Sequence, residues 1–225
     1  MSIETNLHRY LDGTNSEEGR SPEMRYTSFD YCFNYFQSFR ESGNFAAIAY
    51  PENMQLSCLQ LGFYLASWGM LRGSAELLQK SARHFVTVVE VIARTDPAFW
   101  QIDADSYTES NIEQLIEHSK ILRGAIGLLS EILVTKIMLG VFGSVPAFDQ
   151  NFKKGFCVST FGAKALRKIG AFYNQNAELI EKYRVPTLDF VTGEPTERLY
   201  TRAKVIDMVF FIEGMSKNAA SMTSK

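Results

Sequence analysis

Two stretches of the 225-residue chain concentrate side chains able to do chemistry. Residues 62–74 read GFYLASWGMLRGS. On a helix, Gly62, Ala66, Gly69 and Gly73 fall on one face, while Tyr64, Trp68 and Arg72, four apart, form a second stripe. A glycine inside a helix costs roughly 1 kcal/mol relative to alanine, so three of them imply a return elsewhere. That return would be the close approach of another backbone or of a flat ligand. The Tyr64–Trp68–Arg72 stripe would then stack on and clamp a planar or phosphorylated molecule. The competing expectation is close helix packing, with Arg72 bound to a carboxylate or to exposed helix ends.

Residues 135–149 read TKIMLGVFGSVPAFD. Lys136 lies in a strongly apolar run, where lysine rarely stands without a partner or a task. Tyr64, Trp68, Arg72 and Lys136 together make a candidate ligand pocket. Asp149 follows a proline break at the start of a helix. There it would cap that helix or project a carboxylate into a cleft.

The second stretch and its approach carry a resemblance. Leu122-Arg123-Gly124-Ala125-Ile126-Gly127, an apolar helix ending Val141-Phe142-Gly143, and then Val145-Pro146-Ala147-Phe148-Asp149 resemble one region of the helix-hairpin-helix DNA glycosylases. In that superfamily a glycine-rich hairpin binds DNA phosphates through backbone N–H groups. A later aspartate stabilises the positive charge that develops on the sugar as the base leaves. The resemblance implies that Gly124 and Gly127 belong to the hairpin and that Asp149 is the catalytic carboxylate. The two glycines are three apart here, where the family usually has them two apart. Leu128 to Ile132 contains no lysine at the slot used by bifunctional members, so such an enzyme would be monofunctional.

Helical spacing organises the rest of the chain. Residues 1–20 read as a flexible polar leader broken by Gly13, Asn15, Ser16 and Gly19. Ser21-Pro22-Glu23 reads as a helix start, followed by Phe29, Cys32, Phe33, Phe36 and Phe39 at helical spacing. Further helices are expected over about 51–71, 75–93, 128–142, 149–156, 161–183 and 197–215. Another is expected to begin at a capping box, Ser110-Asn111-Ile112-Glu113. A loop is expected over 185–196 and a polar tail over 217–225. The expectation is all-α: one orthogonal bundle or array of about eight to nine helices over residues 21–216.

Composition sets the limits. At 25.5 kDa and 46% apolar residues, the chain can bury a sizeable core. Cys32, Cys58 and Cys157 lie far apart in apolar contexts. Buried thiols in a reducing, cytoplasmic setting are expected rather than a disulfide framework. His8, His84 and His118 are isolated, so no metal site is expected, and no nucleotide-binding glycine motif implies a cofactor. The uncharged stretch between Glu52 and Arg72 is interrupted by Asn53, Gln55, Ser57, Gln60 and Ser67, which favours a buried helix over a membrane span.

The net charge of −2 is unevenly spread. Residues 150–225 hold 12 Lys/Arg against 7 Asp/Glu, and residues 1–149 hold 11 against 18. Lys153, Lys154, Lys164, Arg167 and Lys168 form a block without an acidic residue, which would either attract phosphates or make a solvated helix face balanced by acidic neighbours in the fold. Three functions stay open. One is a nucleic-acid-associated helical domain, glycosylase-like, that uses Asp149 and this block on DNA or another nucleic acid. Another is a helical interaction module or homo-oligomer. The third is a small-molecule sensor with an interior Tyr/Trp/Arg/Lys pocket.

Overall fold

The computed structural model describes residues 2–15, 17–73 and 75–223. Ser16, read above as a break in the leader, and Ser74, the end of the 62–74 stretch, lie outside the described residues, as do Met1, Ser224 and Lys225. The described residues contain nine α-helices: α1 (Ile3–Leu11), α2 (Ser28–Glu41), α3 (Pro51–Ser67), α4 (Val86–Ala93), α5 (Glu109–Ile126), α6 (Glu131–Phe142), α7 (Gln150–Phe156), α8 (Ala163–Lys182) and α9 (Arg202–Thr223). Two small antiparallel hairpins complete them: β1 (Gly13–Thr14) with β2 (Glu17–Glu18), and β3 (Pro186–Leu188) with β4 (Pro195–Leu199). The architecture is all-α. No single helix among the described residues is long and apolar enough to cross a membrane.

Two helices form the centre. Every residue of α6 from Leu133 to Phe142 is buried, Lys136 included. The α9 helix is buried from Ala203 to Ile212, Lys204 and Asp207 included. Helices α2, α3 and α5 pack on α6, whereas α1, α7 and α8 pack on α9. The loop between α6 and α7 is tied to both. Thr135 Oγ1 accepts the Phe148 N–H at 3.0 Å, and Asp207 Oδ1 accepts the Ala147 N–H at 2.9 Å. The Tyr107 hydroxyl donates to the Ser144 carbonyl at 2.6 Å.

Several boundaries differ from the sequence reading, each for a local reason. Residues 3–11 are not a flexible leader. Ser2 caps α1, and Leu7 and Tyr10 are buried against α9. The α5 cap is Thr108, whose side chain accepts the Asn111 N–H, so helix α5 starts before the Ser110–Glu113 box. The 75–93 helix survives only as α4, preceded by two 3₁₀ turns. Residues 195–199 pair as β4 with β3 instead of opening the last helix, and α9 runs on into the expected tail. Cys32 and Cys58 are buried as expected, but Cys157 is exposed, in a left-handed conformation (φ 56°) just after α7.

The tightest helix pair is α7 on α9. A methyl group at Gly214 would overlap the Asn151 carbonyl oxygen, and one at Gly155 would overlap the Phe210 carbonyl oxygen. Both obstacles are backbone and cannot swing aside. Gly214→Ala is therefore expected to lower the unfolding free energy by about 1–3 kcal/mol, the usual range for overpacking, as measured by urea denaturation. Gly124→Ala, where a methyl meets nothing within 4 Å, serves as the control and should stabilise slightly.

Candidate functional site

The α3 helix ends as a glycine stop. Gly69 takes φ 77°, its N–H donates to the Ala66 carbonyl, and the Met70 N–H reaches back to the Leu65 carbonyl. This turn places Trp68 just past the helix end and frees its carbonyl, which accepts from Lys136 Nζ at 2.9 Å. The 62–74 stripe is thus not one helix face. Tyr64 remains on α3, Trp68 is at its end, and Arg72 lies in the turn beyond.

Around Trp68 lie an inner chamber and an outer cleft. The chamber has a volume of about 10 Å³, the room of about one water molecule. Tyr64, Lys136, Lys204 and Asp207 are among its walls. The open cleft, about 630 Å³, carries Arg25, Arg72, Gln150 and Asn151. Trp68, Lys136, Asp149 and Phe211 line both spaces and form the partition between them.

Asp149 is held rigidly. Its Oδ1 caps α7 by accepting the Phe152 N–H at 2.9 Å. Its Oδ2 lies 3.6 Å from Lys136 Nζ, an ion-pair separation too long for a hydrogen bond. Deeper in, Asp207 Oδ2 stands 3.6 Å from Lys204 Nζ, which also donates to the Tyr10 hydroxyl at 2.9 Å. Lys204 is caged by aromatic rings, 4.6 Å from Phe29 and 4.8 Å from Tyr10.

Burial lowers the affinity of both lysines for their protons, against the opposing pull of Asp149 and Asp207 on Lys136 and of Asp207 and Asp30 on Lys204. Burial also pushes the Asp207 carboxyl up to about 6, an effect that the Lys204 charge reduces and the Asp149 charge increases. Two lysines and two aspartates sharing a desolvated space at the foot of a cleft are the kind of arrangement found where proton transfer or charge stabilisation is done.

The other buried acids are of a different kind. Asp30 accepts from Arg20, the Tyr200 hydroxyl and the Leu188 N–H. Asp103 accepts the N–H groups of Ala104, Arg202 and Ala203 and so caps α9. These carboxylates are fully engaged in holding the fold together.

The structure brings Tyr64, Trp68, Lys136 and Asp149 together, with Arg72 at the rim. None of Lys153, Lys154, Lys164, Arg167 and Lys168 lines that cleft. Lys153 pairs with Glu131 at 3.1 Å and Arg167 with Glu109 at 2.6 Å. Lys154 donates to the Lys217 carbonyl, and Lys168 to the Phe156 carbonyl. Gly124 sits within α5, and Gly127 is its left-handed cap at φ 68°. Between α5 and α6 the chain bends by 110°.

Sequence reasoning missed Lys204, Asp207, Arg25 and Gln150. A signal existed for the first two: Lys204 and Asp207 interrupt an apolar run, AKVIDMVFFI, as Lys136 interrupts its own. Elsewhere, the outer side of α3 exposes Leu56, Leu59 and Phe63. Leu59 and Phe63 border a groove of about 570 Å³ shared with Phe190.

The raised Asp207 carboxyl has a consequence for stability. The folded state holds this proton more tightly than the unfolded chain does, so the group's contribution is full below about pH 4 and is lost as pH rises through 6. In Asp207→Asn the side-chain carbonyl still accepts the Ala147 N–H, but nothing titrates. Urea titrations at pH 4 and pH 7 should show the variant gaining stability relative to the wild type as pH rises. A gap that is constant across that window would mean that folding does not raise the Asp207 carboxyl. No protein-family model, curated protein or solved structure matches the chain.

Proposed function

We propose that the Trp68–Asp149 cleft binds a nucleobase-type ring, with Asp149 as the reactive carboxylate. The observation that carries this reading is the state of Asp149. It is fixed by one backbone N–H, left with an oxygen 3.6 Å from a buried ammonium, and placed where the cleft meets the chamber. The surroundings suit a flat polar ring. Trp68, Met70, Ile132 and Phe211 supply apolar wall, and the exposed Gln150 side chain brings an amide that can both donate and accept along a base edge. The chamber is too small for a ring, so the ring sits in the cleft and presents its substituent bond to Asp149. A carboxylate there stabilises positive charge on the sugar as the N-glycosidic bond breaks, with water from the open cleft adding to the sugar carbon and the base leaving protonated, the role that the glycosylase resemblance gives to this residue.

A second reading places that ring in a nucleic-acid strand. The specific observation in its favour is the sharp α5–α6 corner at Gly127, upstream of Asp149, as a helix-hairpin-helix would require. Against it stand the partners already held by Lys153, Lys154, Arg167 and Lys168.

Trp68 and Trp100 are the two tryptophans of the chain, so Trp68 fluorescence, with Trp68→Phe as blank, reports on the cleft. Adenosine, guanosine, cytidine and uridine are the probes. At least one should give a saturable signal that weakens about tenfold or more in Gln150→Ala. Base release from the bound nucleoside should be lost in Asp149→Asn while binding persists. No saturable signal at millimolar nucleoside would sink the reading. Fluorescence anisotropy with labelled single-stranded and duplex DNA at about 50 and 200 mM salt decides the strand version, since several phosphate contacts would weaken binding by orders of magnitude over that range.

A further inference from the structure

We propose that the mouth of the cleft is a phosphate subsite formed by Arg25 and Arg72, so that the ligand is a nucleoside monophosphate and not a free base or nucleoside. The inference rests on the ring-binding reading above and adds to it the charge that the ligand must carry.

The formal charges lining the cleft are unbalanced. Arg25, Arg72 and Lys136 face one carboxylate, Asp149. Asp149 is already committed to Lys136 at 3.6 Å. Arg25 and Arg72 are both exposed, and neither has an ion-pair partner among the described residues. Most other arginines do: Arg9, Arg20, Arg94, Arg167, Arg184, Arg198 and Arg202 are each bound to a carboxylate. Two unneutralised guanidiniums from distant segments therefore meet over one cleft. The charge of Arg72 is felt inside, where it adds to the loss of proton affinity at Lys136.

The backbone favours this placement. The Arg25 guanidinium lies over the Trp68 ring, 5.7 Å from its centroid. Arg72 folds back over the glycine stop of α3, and a Cβ at Gly69 would lie 2.9 Å from Arg72 Nε. Gly69 thus serves two ends: it makes the left-handed turn and leaves the space in which the Arg72 side chain lies. Guanidinium groups present paired N–H donors that match phosphate oxygens, so two of them suit a dianion. A cleft of about 630 Å³ has room for a ring, a sugar and one phosphate.

Calorimetric titration with each nucleoside and its 5′-monophosphate tests the subsite. The monophosphate should bind at least about tenfold more tightly than the matched nucleoside, as expected for charge-assisted hydrogen bonds. That gain should fall below about threefold in Arg25→Ala and in Arg72→Ala. Inorganic pyrophosphate provides an arm that needs no ring. It should raise the melting temperature of the wild type and leave both variants unmoved. If pyrophosphate stabilises but no nucleoside binds, the ring reading fails and the subsite stands. If pyrophosphate has no effect and the phosphate brings no gain, the subsite is overturned. A short oligonucleotide that outcompetes the monophosphate would assign the anion to a strand and overturn the mononucleotide assignment.

Discussion

A lysine ammonium taken out of water must meet a counter-charge or lose its proton, and this protein takes two of them into its core. Lys136 comes from α6 and Lys204 from α9, 4% and 1% exposed. Their carboxylates come from the start of α7 and from α9 itself. The packing of these three helices follows from meeting those charges. The α7 N-terminus has to arrive beside Lys136, and the α6–α7 loop is held there by Thr135 from one side and by Asp207 from the other. Asp207 therefore serves both Lys204 and the loop that delivers Asp149. The glycines of α7 and α9 let the two helices close to backbone contact, and the charge of Asp149 is felt at Asp207.

Such an arrangement is a poor way to stabilise a fold. Buried pairs at 3.6 Å recover less than hydrogen-bonded ones, and an apolar replacement of similar volume is often the more stable choice. The same chain shows that it can satisfy a buried acid completely. Asp30 and Asp103 collect backbone N–H groups, a hydroxyl and guanidinium groups until little capacity is left. The contrast separates acids that build the molecule from acids with an oxygen to spare. Asp149 belongs to the second group, and it also borders open space.

The all-α class was legible because long stretches keep helical spacing and no alternating run competes with them. Much of the lining of the candidate cleft was legible for a different reason: its residues break local rules. Lys136 in an apolar helix and Arg72 beside Gly69 and Gly73 stood out as misfits. Lys204 and Asp207 break the same rule in AKVIDMVFFI and were overlooked because no glycine or proline motif stood beside them. The α1 helix was hidden because its short amphipathic repeat reads as a polar leader until the buried face of α9 is there to receive Leu7 and Tyr10. The hairpin of β3 and β4 was hidden because a five-residue strand, PTERL, has no apolar alternation. It is held by pairing, by Arg198 on Glu41, and by Thr196 on Thr187. The partners of the basic block were not legible, because one-dimensional charge spacing ignores distant acids. Glu131 and Glu109 reach Lys153 and Arg167 only after folding.

The partition at Trp68 gives the cleft a graded environment. At the rim, guanidiniums stand in water, where a charge contributes to attraction and selectivity but little to holding a fixed geometry. One layer in, Asp149 retains 15% of its side-chain exposure and Lys136 only 5%. A ring seated in the cleft would cover that remaining surface of Asp149. Covering it would remove solvent screening between the carboxylate and any charge developing on the ligand, and would strengthen their interaction without moving a protein atom. The carboxylate is already fixed by the α7 cap, so none of that gain is spent on orienting it. A ligand site with weak outer cations and a rigid, nearly dry inner carboxylate would discriminate by how completely a ligand fills the space between them. An anion alone would engage the rim and leave Asp149 in water. A ring alone would dry Asp149 with nothing to hold it there.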